Sequence, residues 1–492
     1  MSKNPLRRLA GETAVYGLSS ILARFINFVF VPIYTRVLST SQYGLATEVL
    51  AYIAILQVIL TLGLETGCFR YANKHDKPEE VFSNALLTVG SLSLLVLAGL
   101  TIGSGSISRL MGYNGFENII IYVGAILAID NFTAILFAKL RFLHKAFKFA
   151  IIKTIKILSE TAFNLILFFL VPGYLSKHPG SFLLNFISPT PDFSYIIFAI
   201  FLSCIILLII MLPDILKIRI KLNAPLWKEM MLYSLPLMIA GLPGILNDFI
   251  DRPLFRMLSP KGLEWSSELG IFQAGAKLAT IMMLFVQMFR FAAEPFFFSK
   301  NESEEVKKKQ YADVMEHFTA FSMLIFLGLT LYMDVIGLII GKNFRQGVDI
   351  VPIMLMAYVI LGMNFNVSMW YKLSGKTNYG ILITAAGLLV TLLINMIFMP
   401  LYSYHAAAWG HLASYLAMML ISIMLGNKYY PIPYKWGRVM SFVAAGLAIY
   451  GLTIFIPPWP LVLKYTIHTI LIVMYILYYL KLEKISVWKL KL

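Results

Sequence analysis

The sequence predicts an all-α polytopic membrane protein with about fourteen transmembrane helices. Three observations point there. Of 492 residues, 59% are hydrophobic and only 13% charged, with a mean hydropathy of +0.77; soluble domains carry about 25% charged residues. Apolar runs recur along the whole chain, each near the roughly 20 residues that cross a hydrocarbon core of about 30 Å. The loops between them are short, and their basic content alternates from one loop to the next.

In order, the candidate spans are 11–37, 44–69, 82–104, 118–138, 150–171, 193–213, 229–251, 268–291, 317–340, 350–371, 378–399, 404–425, 439–456 and 461–480. The first follows the basic MSKNPLRR and runs well beyond the short apolar core of a cleaved signal, so it reads as a retained helix. The longest loops are 172–192, 214–228, 252–267 and 300–316, too short for a separate soluble domain. The expected organisation is an N-terminal six-helix lobe at 1–213, a cytoplasmic linker at 214–228 and a C-terminal six-helix lobe at 229–430. Two additional helices and a tail fill 431–492.

The net charge of +16 would suggest nucleic acid in a soluble protein. Here basic residues mark cytoplasmic loops, anionic lipid headgroups are the counter-surface, and no nucleic-acid partner is expected. With the N-terminus inside, inner loops hold 27 of the 41 Lys and Arg and outer loops nine. That bias predicts an even number of spans and two cytoplasmic termini. Two cysteines, Cys68 and Cys204, form no disulfide framework and no metal spacing.

An internal repeat is present. YGLSSILARFINFVFVPIYTRVLSTSQYGLATE, from Tyr16, is echoed by YSLPLMIAGLPGILNDFIDRPLFRMLSPKGLEWSSELGIFQAG, from Tyr233. Both run Tyr-x-Leu, an apolar helix with proline, Arg-x-Leu-Ser, a short loop, and an aromatic or apolar residue before Gly. Later, AFNLILFFLVP (162–172) and LINMIFMP (393–400) both place an Asn before a Pro. The copies lie six spans apart. An even spacing keeps orientation, so the halves are expected to be parallel repeats about an axis along the membrane normal.

These residues resemble a known family. The opening LAGETAVYGLSSILARFINFVFVPIYTRVLSTSQYG, the segment QMFRFAAEPFFFSK (287–300), IVPIMLMAYVILGMNFNVSMWYKLSGKTNYG (350–380) and LINMIFMPLYSYHAAAWGHLASY (393–415) are similar to the polysaccharide-transport (Wzx-like) oligosaccharide flippases. That family lies in the MOP superfamily, which also holds the MATE antiporters and the lipid II flippase. The likeness covers about residues 9–430. It implies two six-helix lobes around a central cavity, two extra C-terminal helices, and transport of a lipid-linked sugar intermediate in a bacterial inner membrane. One departure stands out: the family often has Gly twice after the Pro, where this chain has Ser403 and Ala406.

Charges within spans narrow the site. A mid-membrane charge costs about 2.5–3.5 kcal/mol on insertion scales, so such residues face protein or water. Ser20, Arg24 and Asn27 share one face of the first helix, with Pro32 beyond them. Helix five carries Lys153, Lys156, Glu160 and Asn164; the lysines either line a cavity or snorkel, and Lys156–Glu160 reads equally as an i, i+4 pair. Helix eight carries Gln273, Lys277, Thr280 and Gln287, with Lys277 roughly 13 Å from its outer end at about 1.5 Å per residue. Helix two offers Gln57, Thr61 and Glu65 on one face, with Glu48 nearer the outside. Helix seven ends in Asn247, Asp248, Asp251 and Arg252, either an outer-end salt bridge or a cation or proton site. Arg290 and Glu294 have the spacing of a structural latch; Asp130 and Asp334 stand isolated in sequence. Helices 1, 2, 7 and 8, the equivalent first pairs of the two repeats, carry several of these groups, as the lining of a polar cavity would.

The expectation is a flippase for a polyprenyl-pyrophosphate-linked oligosaccharide, serving O-antigen, capsule or exopolysaccharide synthesis by alternating access. Arg24 and Lys277, with Lys153 and Lys156, would be the cations that meet the anionic headgroup. The other reading on the same fold is a MATE-like cation-coupled exporter, which would favour cavity carboxylates. A membrane polymerase is the third, but no nucleotide loop, metal cluster or nucleophile constellation accompanies it. No cofactor is expected; Na+ or H+ coupling is open. The expected partners are the lipid-linked substrate, the bilayer and other polysaccharide-assembly proteins.

Overall fold

A computed structural model describes residues 17, 21–22, 24–218, 221–297, 303–455 and 460–483, with 294–297 as main chain only. Every regular element among them is helical, and thirteen helices are long and apolar enough to cross a membrane. They answer the second to fourteenth expected spans. The first expected span lies partly outside the described residues; its described part is helical at 24–29 and continues as α1, Val31–Val37. The chain forms two compact units, Met1–Met257 with Leu263–Gly270, and Leu258–Gly262 with Ile271–Leu492.

In the first unit, α2 (Thr40–Leu60) starts at Ser39, whose hydroxyl accepts the Gln42 amide at 3.2 Å, and so satisfies one orphan donor of the first turn. It is followed by α3 (Leu64–Ala72), α4 (Pro78–Ile102), α5 (Ser104–Leu110) and α6 (Glu117–Phe142). Pro78 opens α4 with Glu79 and Glu80 in its first turn, which suits both the missing proline donor and the helix dipole. Next come α7 (Ala146–Leu165), a π turn at Ile166–Leu170 and α8 (Val171–Lys177). α9 (Ser194–Ile215), α10 (Ala224–Phe249), the short amphipathic α11 (Asp251–Leu258) up to Met257, and residues Leu263–Gly270 complete the unit. Its core includes Cys68, Phe82, Val89, Ile135, Phe149, Leu207 and Met230. α10 packs on α2 and α3, so by compactness it sits with the helices before the 214–228 linker.

The span expected at 44–69 is broken. Leu62 (φ 52°) and Gly63 (φ 67°) separate α2 from α3. Gly63 is needed there twice over: its φ is left-handed, and a Cβ would stand 2.5 Å from the Ser234 carbonyl oxygen on α10. The common face expected for Gln57, Thr61 and Glu65 presumed an unbroken helix, and the break takes Glu65 out of it.

The second unit takes α12 (Trp265–Phe297) from Ile271 onward, then α13 (Glu304–Thr330), α14 (Met333–Ile336), α15 (Val351–Val367) and α16 (Met369–Leu373). α17 (Asn378–Tyr402) and α18 (Tyr404–Tyr429) form a tightly packed hairpin that also meets α15. Ser403, the only residue between them, has φ 46° and ψ −123°. That is glycine territory, at one of the two positions where the resembled family often has Gly. α19 (Trp436–Ile454) and α20 (Leu461–Leu482) pack on α13.

Glu316 of α13, 1% exposed, anchors those last helices. It accepts from Arg438 Nη1 at 2.9 Å and from Lys435 Nζ at 3.2 Å, and Lys435 also binds Asp313 at 2.6 Å. Lys435 is held above its ordinary value, first by its bond to Asp313 and then by Glu316, against the pull of burial. Tyr475 of α20 adds a bond to the Ala320 carbonyl at 3.1 Å.

Candidate functional site

On the first helix, Arg24 and Asn27 are both exposed, and Ser20 lies outside the described residues. The i, i+3 spacing keeps the two on neighbouring positions of the helix surface.

The α7 stripe is the best-defined polar group within a span of the first unit. Lys156 Nζ meets Asp130 Oδ1 on α6 at 2.6 Å, and Cys204 Sγ of α9 lies 3.4 Å from the same oxygen. Both charged side chains are less than one-fifth exposed. Asp130, isolated in sequence, is therefore the lysine's partner across helices, and Lys156 joins α7 to α6 rather than only to Glu160 one turn along. Lys153 lies over the Phe137 ring at 4.8 Å and the Phe149 ring at 5.9 Å, a cation–π arrangement that stabilises a partly desolvated ammonium. Asn164 returns its amide to the Glu160 carbonyl at 2.9 Å and accepts from Tyr34 at 2.8 Å. In the second unit Asn395 likewise returns its amide to the Thr391 carbonyl at 2.8 Å. The two Asn-before-Pro segments thus share a detail as well as a pattern.

Glu65 pairs with Arg141 at 3.2 Å, near the end that carries the lysine-rich loops. Gln57 is half-buried on α2. Asn247 at the far end of α10 and Asp251 at the start of α11 are buried. Arg252 donates to the Asp248 main-chain carbonyl at 2.9 Å, stands 3.7 Å from Asp251 Oδ1 and lies over the Phe249 ring at 4.5 Å. The sequence segment NDFIDR is thus a compact polar turn closing the helix.

In the second unit, Gln273 is buried on α12 and Lys277 half-buried one turn on. Thr280 donates to the Ala276 carbonyl at 3.3 Å. Arg290 is exposed and lies over the Phe365 ring at 5.2 Å. The side chain of its expected latch partner, Glu294, lies outside the described residues.

Sequence reasoning passed over the strongest ionic contact in the first unit. Glu48, fully buried, receives Arg256 Nε at 2.7 Å and Nη2 at 2.6 Å, and the Tyr113 hydroxyl at 2.6 Å. Arg256 also donates to the Met111 carbonyl at 2.7 Å and lies over the Trp265 ring at 4.0 Å. The fork of a guanidinium matches a carboxylate edge to edge. Burial pulls the Arg256 guanidinium down, but the bonds and charge of Glu48 outweigh it and hold it above its usual value. Burial, and then the same carboxylate, push the Tyr113 phenol up. Arg256 reads as a loop cation in sequence; only Glu48, a lone acid in an apolar run, signals that a partner must exist.

A family model for "Polysaccharide biosynthesis protein" matches residues 9–300. The chain belongs to that family. This polysaccharide biosynthesis protein also resembles solved transporters in fold. The lipid II flippase MurJ, in an inward closed conformation, superposes with a TM-score of 0.70 at 11% identity, over 94% of this chain and 98% of that one. A MOP superfamily transporter from Pyrococcus furiosus gives 0.57 at 12% identity, over 89% and 96%. An outward-facing multidrug resistance MATE family transporter of the same superfamily gives 0.56 at 11%, over 90% and 99%. No curated protein matches by sequence. The polysaccharide biosynthesis protein is a multi-pass membrane protein with the MOP transporter fold.

Proposed function

We propose that the protein is a flippase that moves a polyprenyl-pyrophosphate-linked oligosaccharide from the inner to the outer leaflet of the bacterial cytoplasmic membrane. Family membership over 9–300 carries the reading. The placement of cations inside membrane spans supports it: Arg24 on the first helix, Lys153 on α7 and Lys277 on α12, whereas Lys156 is already paired with Asp130. A pyrophosphate and its sugars crossing bare hydrocarbon would lose water without replacement partners. Cations and amides along the route replace those partners, while the polyprenyl tail stays in lipid. Substrate gradients, Na+ or H+ are the candidate drives for alternating access.

A cation exporter of the MATE type uses the same fold. The cations within the spans favour an anionic cargo over a cationic one. The test is a deletion strain. It should accumulate lipid-linked glycan on the inner leaflet, identified by mass spectrometry, and lose surface polysaccharide. Normal surface glycan with impaired efflux of a small cation would reverse the choice.

A further inference from the structure

One end of the first unit holds a cavity that the transport reading does not use. Four segments meet there: the first turn of α4 with Glu79, the last turn of α6 with Lys139, the α6–α7 connection with Lys145, and the end of α9 with Asp214 and Lys217. The cavity measures about 260 Å³, several times the ~30 Å³ share of one water. Its carboxylates are already engaged, Glu79 with Lys139 at 2.8 Å and Asp214 with Lys148 at 2.6 Å. Among the described residues, Lys145 and Lys217 have no ion-pair partner and both are exposed. The cavity therefore presents two uncommitted cations at its mouth.

Its setting identifies the ligand. All four segments are helix ends of membrane-length helices, so the cavity lies at a membrane boundary. Beside the cavity and along the helices from it, α7 exposes Phe147, Ile151, Ile155 and Leu158, and α9 exposes Ile209 and Leu212, with Leu216 just past its end. The spacings i, i+4, i+8, i+11 and i, i+3, i+7 each make one continuous face. α7 and α9 pack against each other. A ligand with a negative head and apolar tails matches both parts at once. Basic pockets between transmembrane helices hold anionic lipid heads by this combination.

We propose that this cavity is a binding site for the headgroup phosphate of an anionic bilayer phospholipid. Lys145 and Lys217 meet the phosphate, and the acyl chains lie along the exposed faces of α7 and α9. This does not rest on the flippase reading, because a transporter of any cargo would carry it.

The experiment is native mass spectrometry of the purified full chain titrated with phosphatidylglycerol or phosphatidylcholine, with an arm containing inorganic phosphate. The wild type should retain phosphatidylglycerol preferentially. Lys145→Gln with Lys217→Gln should weaken that retention by roughly tenfold or more, on a scale of about fivefold per lysine at an anionic surface. Lys217→Glu alone should weaken it too, and Lys177→Gln, at the end of α8, should leave it unchanged. Equal retention of the two lipids, an unaltered preference in the folded variants, or displacement of the lipid by inorganic phosphate would each overturn the proposal.

Discussion

Gly44 and Gly270 lie back to back: a Cβ on Gly44 would stand 3.0 Å from the Gly270 nitrogen, and one on Gly270 3.1 Å from the Gly44 nitrogen. The same two Cβ atoms would meet the Ser266 and Thr40 carbonyl oxygens at 1.8 and 2.0 Å. Thr40 bonds Ser267 and Ser41 bonds Ser266, both at 2.7 Å. These glycines end Gln-Tyr-Gly and Glu-Leu-Gly, equivalent points of the internal repeat. The starts of α2 and α12 therefore cross reciprocally, backbone on backbone. Gly44→Ala should cost about 1–3 kcal/mol through overpacking. Gly99→Ala, with nothing within 4 Å, should be neutral or stabilising. Thermal unfolding of both variants in detergent checks this; equal melting temperatures would contradict it.

Removing Arg256 leaves the Glu48 carboxylate buried beside only Tyr113 and Tyr52. Arg256→Ala should destabilise by about 3–5 kcal/mol, the scale for a buried charge stripped of its partner. Glu48→Gln combined with Arg256→Met should cost less than the sum of the single changes. A double-mutant cycle of unfolding free energies reads the coupling, and simple additivity would remove it.

Arg24→Ala should reduce glycan export while folded protein remains in the membrane. Arg24→Lys should keep part of the activity, since charge survives without the bidentate fork. Lys277→Ala should also impair export. Wild-type surface polysaccharide in both alanine variants at normal expression would exclude these cations from transport.

Ser403→Gly should stabilise the α17–α18 hairpin by about 0.5–1 kcal/mol or more, because the left-handed conformation costs a serine and not a glycine. Ser403→Val should destabilise, as a β-branched residue tolerates that φ least. The order of melting temperatures Gly, Ser, Val is the readout; any other order speaks against backbone strain at this corner.

Both termini are expected in the cytoplasm. Cysteines placed at Lys177 and Lys308, in a background lacking Cys68 and Cys204, should label with an impermeant maleimide from opposite sides. Labelling of both positions from the same side would overturn the topology.

Much of the fold was legible because the length of an apolar run is a local property, and thirteen spans follow from it. The break at Leu62–Gly63 was not, because one glycine in an apolar run carries no sign of the α10 carbonyl it must approach. The charges within the spans were legible in the sequence, but their partners were not. Asp130 stood alone in sequence and belongs to Lys156, 26 residues away; Glu48 belongs to Arg256, 208 residues away. Periodicity reports which face a charge lies on, and says nothing of what waits on the neighbouring helix.

The Glu316 anchor also sets an order of events at the ribosome. Lys435 follows Glu316 by 119 residues. At about 5–20 residues per second, α13 enters the membrane roughly 6–24 s before its counter-charges exist. During that interval the carboxylate must stay protonated, hydrated or shielded by the insertion machinery. Chains released before residue 438 would keep that acid without its counter-charges at the membrane boundary and leave the last two helices unanchored, and quality-control proteases would meet them as unfinished protein.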